Sequence, residues 1–370
     1  MGRWAFMKSD IGANRRTMTD CKFLFSNGVI TSSPDVPPVA TLLQSHPGAY
    51  TTTRTHSDGA CILFWERHLR RLSNSARILL SRDPRLLFKP EKSELSLPPS
   101  LVESSAWDSA VDSLVKDSVD QVLPIALREG LRKEGEELAI TALVSGNVEK
   151  LRGMESVSGS DSLAEMLDVY VHLAGYVPLA FDRPEGAARL AVVGRGRSVA
   201  EAKYSDWVRL RTPLERLRPT SATELLLSND GDHLLEGCLT NFFVVRRREG
   251  KGVGEIPYEV QTAPISDGVL PGIIRQLVLE VCLSKGISVQ EVAPSWSERD
   301  FWQEAFVTNS LRIMQHVEKI QFPHSWESLE HKAPEEISWE EKQFAMNPGR
   351  ITAIIQNEVM KKAFVEGYPI

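Results

Sequence analysis

Three short stretches of the chain carry side chains that could do chemistry together. Lys203 stands in Ala200-Glu-Ala-Lys-Tyr-Ser-Asp-Trp207, just after an apolar run at 189–193. An amine that is partly buried has a lowered pKa and attacks carbonyl carbon, whereas an amine in water stays protonated. Glu236-Gly-Cys-Leu-Thr-Asn241 is followed at once by Phe-Phe-Val-Val, a sequence of buried type. That segment reads either as a surface turn with a self-bonded Asn241 or as a carboxylate brought against a core. Gly268-Val-Leu-Pro-Gly-Ile-Ile-Arg275 sets Pro271 and Gly272 at the entry of a helix, with Ile273, Ile274, Leu277, Val278 and Val281 as its apolar face and Gly286 as its stop. A helix start offers unpaired N–H groups and partial positive charge to a phosphate, and a glycine there lets the backbone come close. Each stretch alone also has an ordinary reading: a solvated lysine, a turn, a capped helix.

Along the chain, Lys203, the 236–241 loop, Val260-Gln-Thr262, Leu270-Pro-Gly-Ile-Ile-Arg275 and Phe306-Val-Thr-Asn-Ser310 follow in order. Together they resemble the signature of the class IV aminotransferase family, the fold type IV pyridoxal 5'-phosphate (PLP) enzymes. That family includes branched-chain aminotransferase, D-amino-acid aminotransferase and 4-amino-4-deoxychorismate lyase. His68-Leu-Arg-Arg71-Leu-Ser-Asn-Ser-Ala and Gly48-Ala-Tyr50-Thr-Thr-Thr-Arg54 extend the likeness into the first half, and D-amino-acid aminotransferase-like proteins of plants look most similar.

The resemblance implies a mixed α/β, two-domain fold of D-amino-acid aminotransferase type with PLP in the cleft between the domains. It implies a Schiff base on Lys203, which then moves a proton between the substrate Cα and the cofactor, and Glu236 on the pyridine nitrogen. The phosphate would be held by Arg71, the backbone N–H groups of Ile273 and Ile274 beside Gly272, and Asn309 with Ser310. Thr240 and Asn241 would shape the cofactor loop, and Tyr50 and Arg54 would meet the substrate, with Arg152 and His316 as further candidates. The reaction expected is amino transfer between a small amino acid and a 2-oxo acid, in a homodimer. Lyase chemistry of the aminodeoxychorismate type is the alternative, because the 306–311 stretch is similar to that of the lyases. The Arg-x-His carboxylate trap of D-amino-acid aminotransferase has no counterpart between Leu143 and Gly153.

These side chains need elements to hold them. Asn27-Gly28 between two apolar runs predicts a hairpin, and a second is expected over 49–65 with its turn at Ser57-Asp58-Gly59. Residues 66–80 have helical periodicity, with Leu69, Leu72, Ala76 and Leu79 as the stripe. A long helix is expected over 107–133, broken at Pro124. Strands are expected at 138–144, 169–173, 189–193, 223–227, 233–236, 241–245, 258–262 and 305–308. A helix is expected at 206–217, and another from Asn347. Gly194-Arg-Gly196-Arg-Ser-Val199 after a strand hints at a nucleotide-binding turn, but Val199 replaces the third glycine and no βαβ pattern surrounds it.

Length sets the scale. A chain of 370 residues, 42% hydrophobic and 25% charged, suits two domains and an enclosed cofactor. We divide it into an N-terminal extension (1–20), an N-terminal α/β domain (21–177), a PLP-binding domain (186–330) and a helical tail (331–370), with surface insertions at 83–105 and 246–258. A net charge of −6 gives no bulk attraction to nucleic acid or membrane. Four scattered cysteines form no metal or disulfide pattern, so no metal is expected, and the reducing cytoplasm is the expected compartment ahead of plastid or mitochondrion. The first 20 residues lack an apolar core for a secretory signal.

Overall fold

The computed structural model describes residues 22–89, 105–153, 159–181, 183–248, 257–327, 329 and 332–370. The expected N-terminal extension, and most of the two expected insertions, lie outside them. Strands β1 (Lys22–Ser26) and β2 (Val29–Ser32) form the hairpin, with Asn27 and Gly28 both at positive φ. After α1 (Val39–Ser45) come β3 (Ala49–His56) and β4 (Cys61–Ile62), and Trp65 already opens α2 (Trp65–Arg82). Along α2 the expected stripe is buried, and so are His68, Arg71 and Ser75. That second, polar buried row marks a helix packed on more than oil.

Helix α3 (Trp107–Arg128) runs straight past Pro124. Pro124 lies on the exposed face between buried Leu123 and Ala126, so water can take the carbonyl that its missing N–H frees while the buried face holds the helix. Then follow β5 (Glu137–Gly146), the short α4 (Val148–Arg152) and α5 (Gly159–Glu165), and β6 (Leu167–Tyr176).

The second half comprises β7 (Ala188–Val192), α6 (Trp207–Leu210), α7 (Thr212–Glu215), β8 (Glu224–Ser228), β9 (Leu234–Gly237), β10 (Asn241–Arg247), β11 (Tyr258–Thr262) and α8 (Ile273–Lys285). After these come β12 (Ser288–Glu291), β13 (Trp302–Asn309), β14 (Ile313–Pro323), β15 (Trp339–Gln343), α9 (Arg350–Val365) and β16 (Tyr368–Pro369). The tail, expected to be helical, therefore also contributes two strands. The single helix expected at 206–217 is two short ones.

Among the described residues the strands make two sheets, in the orders β16-β4-β3-β5-β6-β1-β2 and β12-β11-β10-β13-β14-β7-β8-β9, with β15 on β14. Alternation decides what each face meets. On β5, Leu138, Ile140, Ala142 and Val144 join the core under α2 and α3, while Ala139 and Thr141 line a cavity on the other face. In the second sheet β9 also pairs with β10, through Glu236 and Asn241, which closes a ring of strands. Phe242 and Val244 fill the inside of that ring. Phe243 turns outward against α8, where it stacks on Phe306 at 4.8 Å. No helix among the described residues is long and apolar enough to cross a membrane.

Helix α9 packs Ile351, Ile355, Val359 and Ala363 onto α8. It has no cap of its own; Glu304 on β13 accepts from the N–H groups of Ile351 (3.1 Å) and Thr352 (2.8 Å) and from the Thr352 hydroxyl (2.7 Å). A carboxylate at a helix start satisfies orphan donors and suits the helix dipole. Glu304→Ala is expected to cost about 1–2 kcal/mol. The readouts are a melting temperature lowered by a few degrees and faster amide exchange in the first turn of α9; unchanged exchange there would refute the cap.

Candidate active site

Glu236 sits where β9 meets β10, in a tight turn closed by the Gly237 N–H donating to the Thr240 carbonyl (2.8 Å). Its Oε1 accepts from Arg197 Nε (2.9 Å) and Nη2 (2.6 Å); its Oε2 accepts from the Leu270 N–H (2.9 Å) and Asn241 Nδ2 (3.3 Å). The two charged side chains are 2% and 5% exposed, and the Arg197 guanidinium also lies 5.3 Å from the Trp207 ring. Burial pushes the Glu236 carboxyl above its ordinary pKa, and Arg197, the Leu270 N–H and Lys203 pull it back. Thr240 is held by a second buried carboxylate: Glu224 Oε1 accepts from its hydroxyl (3.0 Å) and from the Leu239 N–H (3.0 Å), and Oε2 meets Arg312 (3.0 Å).

Lys203 is reached from the other sheet. Its carbonyl accepts the Tyr50 N–H (3.0 Å), the Gly48 carbonyl accepts the Ser205 N–H (2.9 Å), and Ser75 on α2 accepts the Lys203 N–H (3.1 Å). The side chain keeps some accessible surface, but its amine lies deep in the cavity wall, with Nζ 4.5 Å from the Tyr50 ring centre. Burial lowers its pKa; Tyr50 counteracts this, while Arg71 and Arg197 add to it. Burial would raise the Tyr50 phenol, but Lys203, Arg211 and Arg197 together bring it below its ordinary value.

A third group surrounds the start of α8. Among the described residues no side chain caps this helix, so the first-turn N–H groups of Ile273 and Ile274 remain available. Gly272 is required by close approach, because a Cβ there would stand 2.0 Å from Asn241 Oδ1. Arg71 donates through Nη2 to Thr51 Oγ1 (2.8 Å), which also bonds His68 Nδ1 (2.7 Å). Its Nε finds no partner among the described residues, and neither does the buried Thr308 hydroxyl. Burial brings the Arg71 pKa down to about 10. A buried guanidinium with an unmatched donor, a free hydroxyl and an uncapped helix start fit a phosphate. Together with Lys203 and the fixed carboxylate, the donor set fits PLP.

One cavity of about 330 Å³ is lined by Lys203, Arg71, Glu236, Thr240, Asn241, Gly272, Ile273, Ile274, Asn309, Ser310 and Tyr50. Asn309 is there, but its side-chain oxygen accepts from the Leu311 (3.1 Å) and Arg312 (2.8 Å) N–H groups and so shapes its own loop. Arg54, expected at the substrate, does not line the cavity. It is buried with Nε on the Leu311 carbonyl (2.8 Å) and Nη1 on the Thr55 carbonyl (3.0 Å), which makes it a brace for the 309–312 loop. Arg152 and His316 do not line the cavity either; His316 Nε2 bonds the Met346 carbonyl (2.9 Å).

Arg197, Trp207, Glu224 and Arg312 escaped the sequence reading. Arg197 belongs to the Gly194-Arg-Gly196-Arg stretch that hinted at a nucleotide turn; no helix follows it, and what it delivers is the counter-charge of Glu236. Trp207 Nε1 donates to the Cys238 carbonyl (2.8 Å), tying the Lys203 segment to the Glu236 turn. A glutamate within an otherwise apolar strand, Glu224-Leu-Leu-Leu, was the signal available for Glu224.

Residues 48–320 match the family model described as amino-transferase class IV. No curated protein sequence matches the chain. Among solved structures, the chain resembles a branched-chain aminotransferase from the archaeon Thermoproteus uzoniensis with norvaline (TM-score 0.56, 18% identity, 94% of this chain and 99% of that one). It also resembles the Escherichia coli branched-chain amino acid aminotransferase (0.56, 16%, 93% and 94%) and an aminotransferase from Brucella abortus bound to PLP (0.55, 16%, 93% and 99%). At such identities the likeness is one of fold. The family match over most of the length, on a fold of the same type, shows that the chain belongs to the class IV aminotransferases, a family that uses PLP.

Proposed function

We propose that the chain is a PLP-dependent transaminase moving an amino group between a small amino acid and a 2-oxo acid, with Lys203 as the amine that holds the cofactor. What carries this reading is the convergence of a buried amine, a carboxylate fixed by an arginine and a cradle of unmatched phosphate donors on one cavity. When bound, PLP supplies a carbonyl for amines and a ring that absorbs charge from the substrate Cα.

The chain's own residues do the rest. Burial favours the neutral form of the Lys203 amine, because it makes the protonated form costly. With PLP bound, that amine would be the group that moves the proton between the substrate Cα and the cofactor C4′. Glu236, paired with Arg197, would favour a proton at the ring nitrogen, which is where charge develops as Cα loses its proton. Arg71, the N–H groups of Ile273 and Ile274, and the hydroxyls of Thr308 and Ser310 anchor the phosphate; Thr240 and Asn241 keep the Glu236 turn in shape. Tyr50 covers the Lys203 amine on the substrate side. A homodimer, in which a partner closes the cavity mouth, is part of the proposal.

Borohydride is expected to fix the cofactor onto Lys203 in the yellow wild-type protein, and Lys203→Ala is expected to lose both the fixed adduct and turnover. Full activity in Lys203→Ala would refute the assignment. Amino transfer to 2-oxoglutarate, followed against pyruvate release from aminodeoxychorismate, separates transaminase from lyase. Glu236→Gln is expected to retain cofactor while slowing turnover about 10²–10³-fold, since a preorganised charge acts chiefly in the transition state; undiminished turnover would remove Glu236 from the reaction. The unprotonated amine is the nucleophile, so capture of PLP by cofactor-free protein should accelerate with pH. It should level off below the pH at which an ordinary lysine deprotonates, the direction set by the lowered Lys203 pKa. Levelling off only at or above that pH would contradict the buried amine.

A further inference from the structure

A transaminase substrate brings a carboxylate, and neither Arg54 nor Arg152 lines the cavity to meet it. Among the described residues five lysines and arginines do line it: Arg71, Arg197, Lys203, Arg211 and Arg312. Lys203 and Arg71 belong to the cofactor. Arg197 is matched by Glu236 and Arg312 by Glu224, carboxylates 2% and 3% exposed. Drawing either arginine away would strand a buried negative charge.

Arg211 is different. Its partner Glu215 stands one helical turn further on, bonded at 2.8 Å, and is 47% exposed, whereas Arg211 itself is only 14% exposed. A pair whose anion stands in water contributes little, because water solvates the carboxylate nearly as well as the guanidinium does. A carboxylate inside the cavity would meet the same guanidinium at lower dielectric, beside the apolar walls of Val208 and Trp207. There the planar fork of arginine can bind both oxygens. Arg211 also lies within electrostatic reach of the Tyr50 phenol, whose ring neighbours the Lys203 amine. That puts it on the side of the cavity where the reacting amine works.

We propose that Arg211 is a specificity-determining residue that binds a carboxylate of the substrate, exchanging Glu215 for it as the substrate enters. The proposal rests on the transaminase reading, and the test separates the two. Cofactor loading of the wild-type protein is first scored by absorbance and borohydride fixation. Calorimetric titration then follows butyrate and glutarate, acids with no amine or carbonyl to react, on wild type, Arg211→Gln, Arg211→Lys and Glu215→Gln. Arg211→Gln is expected to weaken binding about tenfold or more, one charge-assisted pair being worth at least ~1.4 kcal/mol. Arg211→Lys should recover part of that loss, and Glu215→Gln should bind more tightly than wild type because the competing anion is gone.

Weakened binding of both acids assigns Arg211 to the carboxylate common to all amino acids. Weakening of glutarate alone assigns it to the second carboxylate of an acidic substrate. Wild-type affinity in Arg211→Gln overturns the proposal. So does an equal loss in Glu215→Gln, which would make the pair a structural tie of the cavity wall. Absence of cofactor from the wild type would instead refute the transaminase reading, while the titration, which needs no turnover, still decides Arg211.

Discussion

A carboxylate taken out of water costs several kcal/mol unless a cation and hydrogen bonds replace its solvent. The site is organised around how Glu236 meets that condition. Arg197 covers one oxygen; Leu270 and Asn241 cover the other. These partners come from the segment after β7, the lead-in to α8 and the first residue of β10. One charge thus fixes three chain segments relative to each other. It also sits at the β9–β10 pairing that closes the ring of strands, so the closure of the second sheet and the chemistry of the cavity depend on the same few bonds. Gly272 follows from this arrangement, because the Asn241 amide that serves Glu236 occupies the space a side chain there would need.

Glu224 repeats the device on the opposite side of the turn, bonding the Leu239 N–H, the Thr240 hydroxyl and Arg312. Between them the two carboxylates tie Leu239, Thr240 and Asn241 of a turn whose backbone is closed by the Gly237 N–H on the Thr240 carbonyl. Their arginines are therefore matched within the fold, and a cavity rich in positive charge leaves little of it free for a ligand.

The two sheets are joined at several points. Backbone bonds from Tyr50 and Ser205 knit the start of β3 to the Lys203 segment, so the residue that carries the amine and the residue whose ring covers it come from distant parts of the chain yet are tied backbone to backbone. At the far end the chain returns: β16 adds to the first sheet beside β4, and Arg67 on α2 pairs with Glu280 on α8 (2.6 Å) and Glu366 after α9 (2.6 Å). A cleft held from both sides in this way keeps facing groups in register, which positioning demands of any site built across two layers.

Much was legible in the residues alone, because it depends on near neighbours. The Asn27-Gly28 hairpin, the stripe of α2, the span of β11 and the α8 start at Gly272 with its stop at Gly286 follow from backbone preference and periodicity over a few positions. The ordered motifs carrying Lys203, Glu236, Asn241 and Arg71 likewise pointed to one cofactor chemistry. Which charge meets which was not legible. Arg197 and Glu236 are 39 positions apart and Arg312 and Glu224 are 88 apart, and nothing local distinguishes those arginines from Arg54, which the fold turns to bracing a loop. Pro124 misled for the same reason, since whether a proline breaks a helix depends on which face meets water. Short-range preferences in the residues account for most local elements and for the kinds of group available. Their partners follow from the three-dimensional packing, because the free energy of a buried charge is set by whatever the folded sheets bring within hydrogen-bond reach of it, not by its neighbours in the chain.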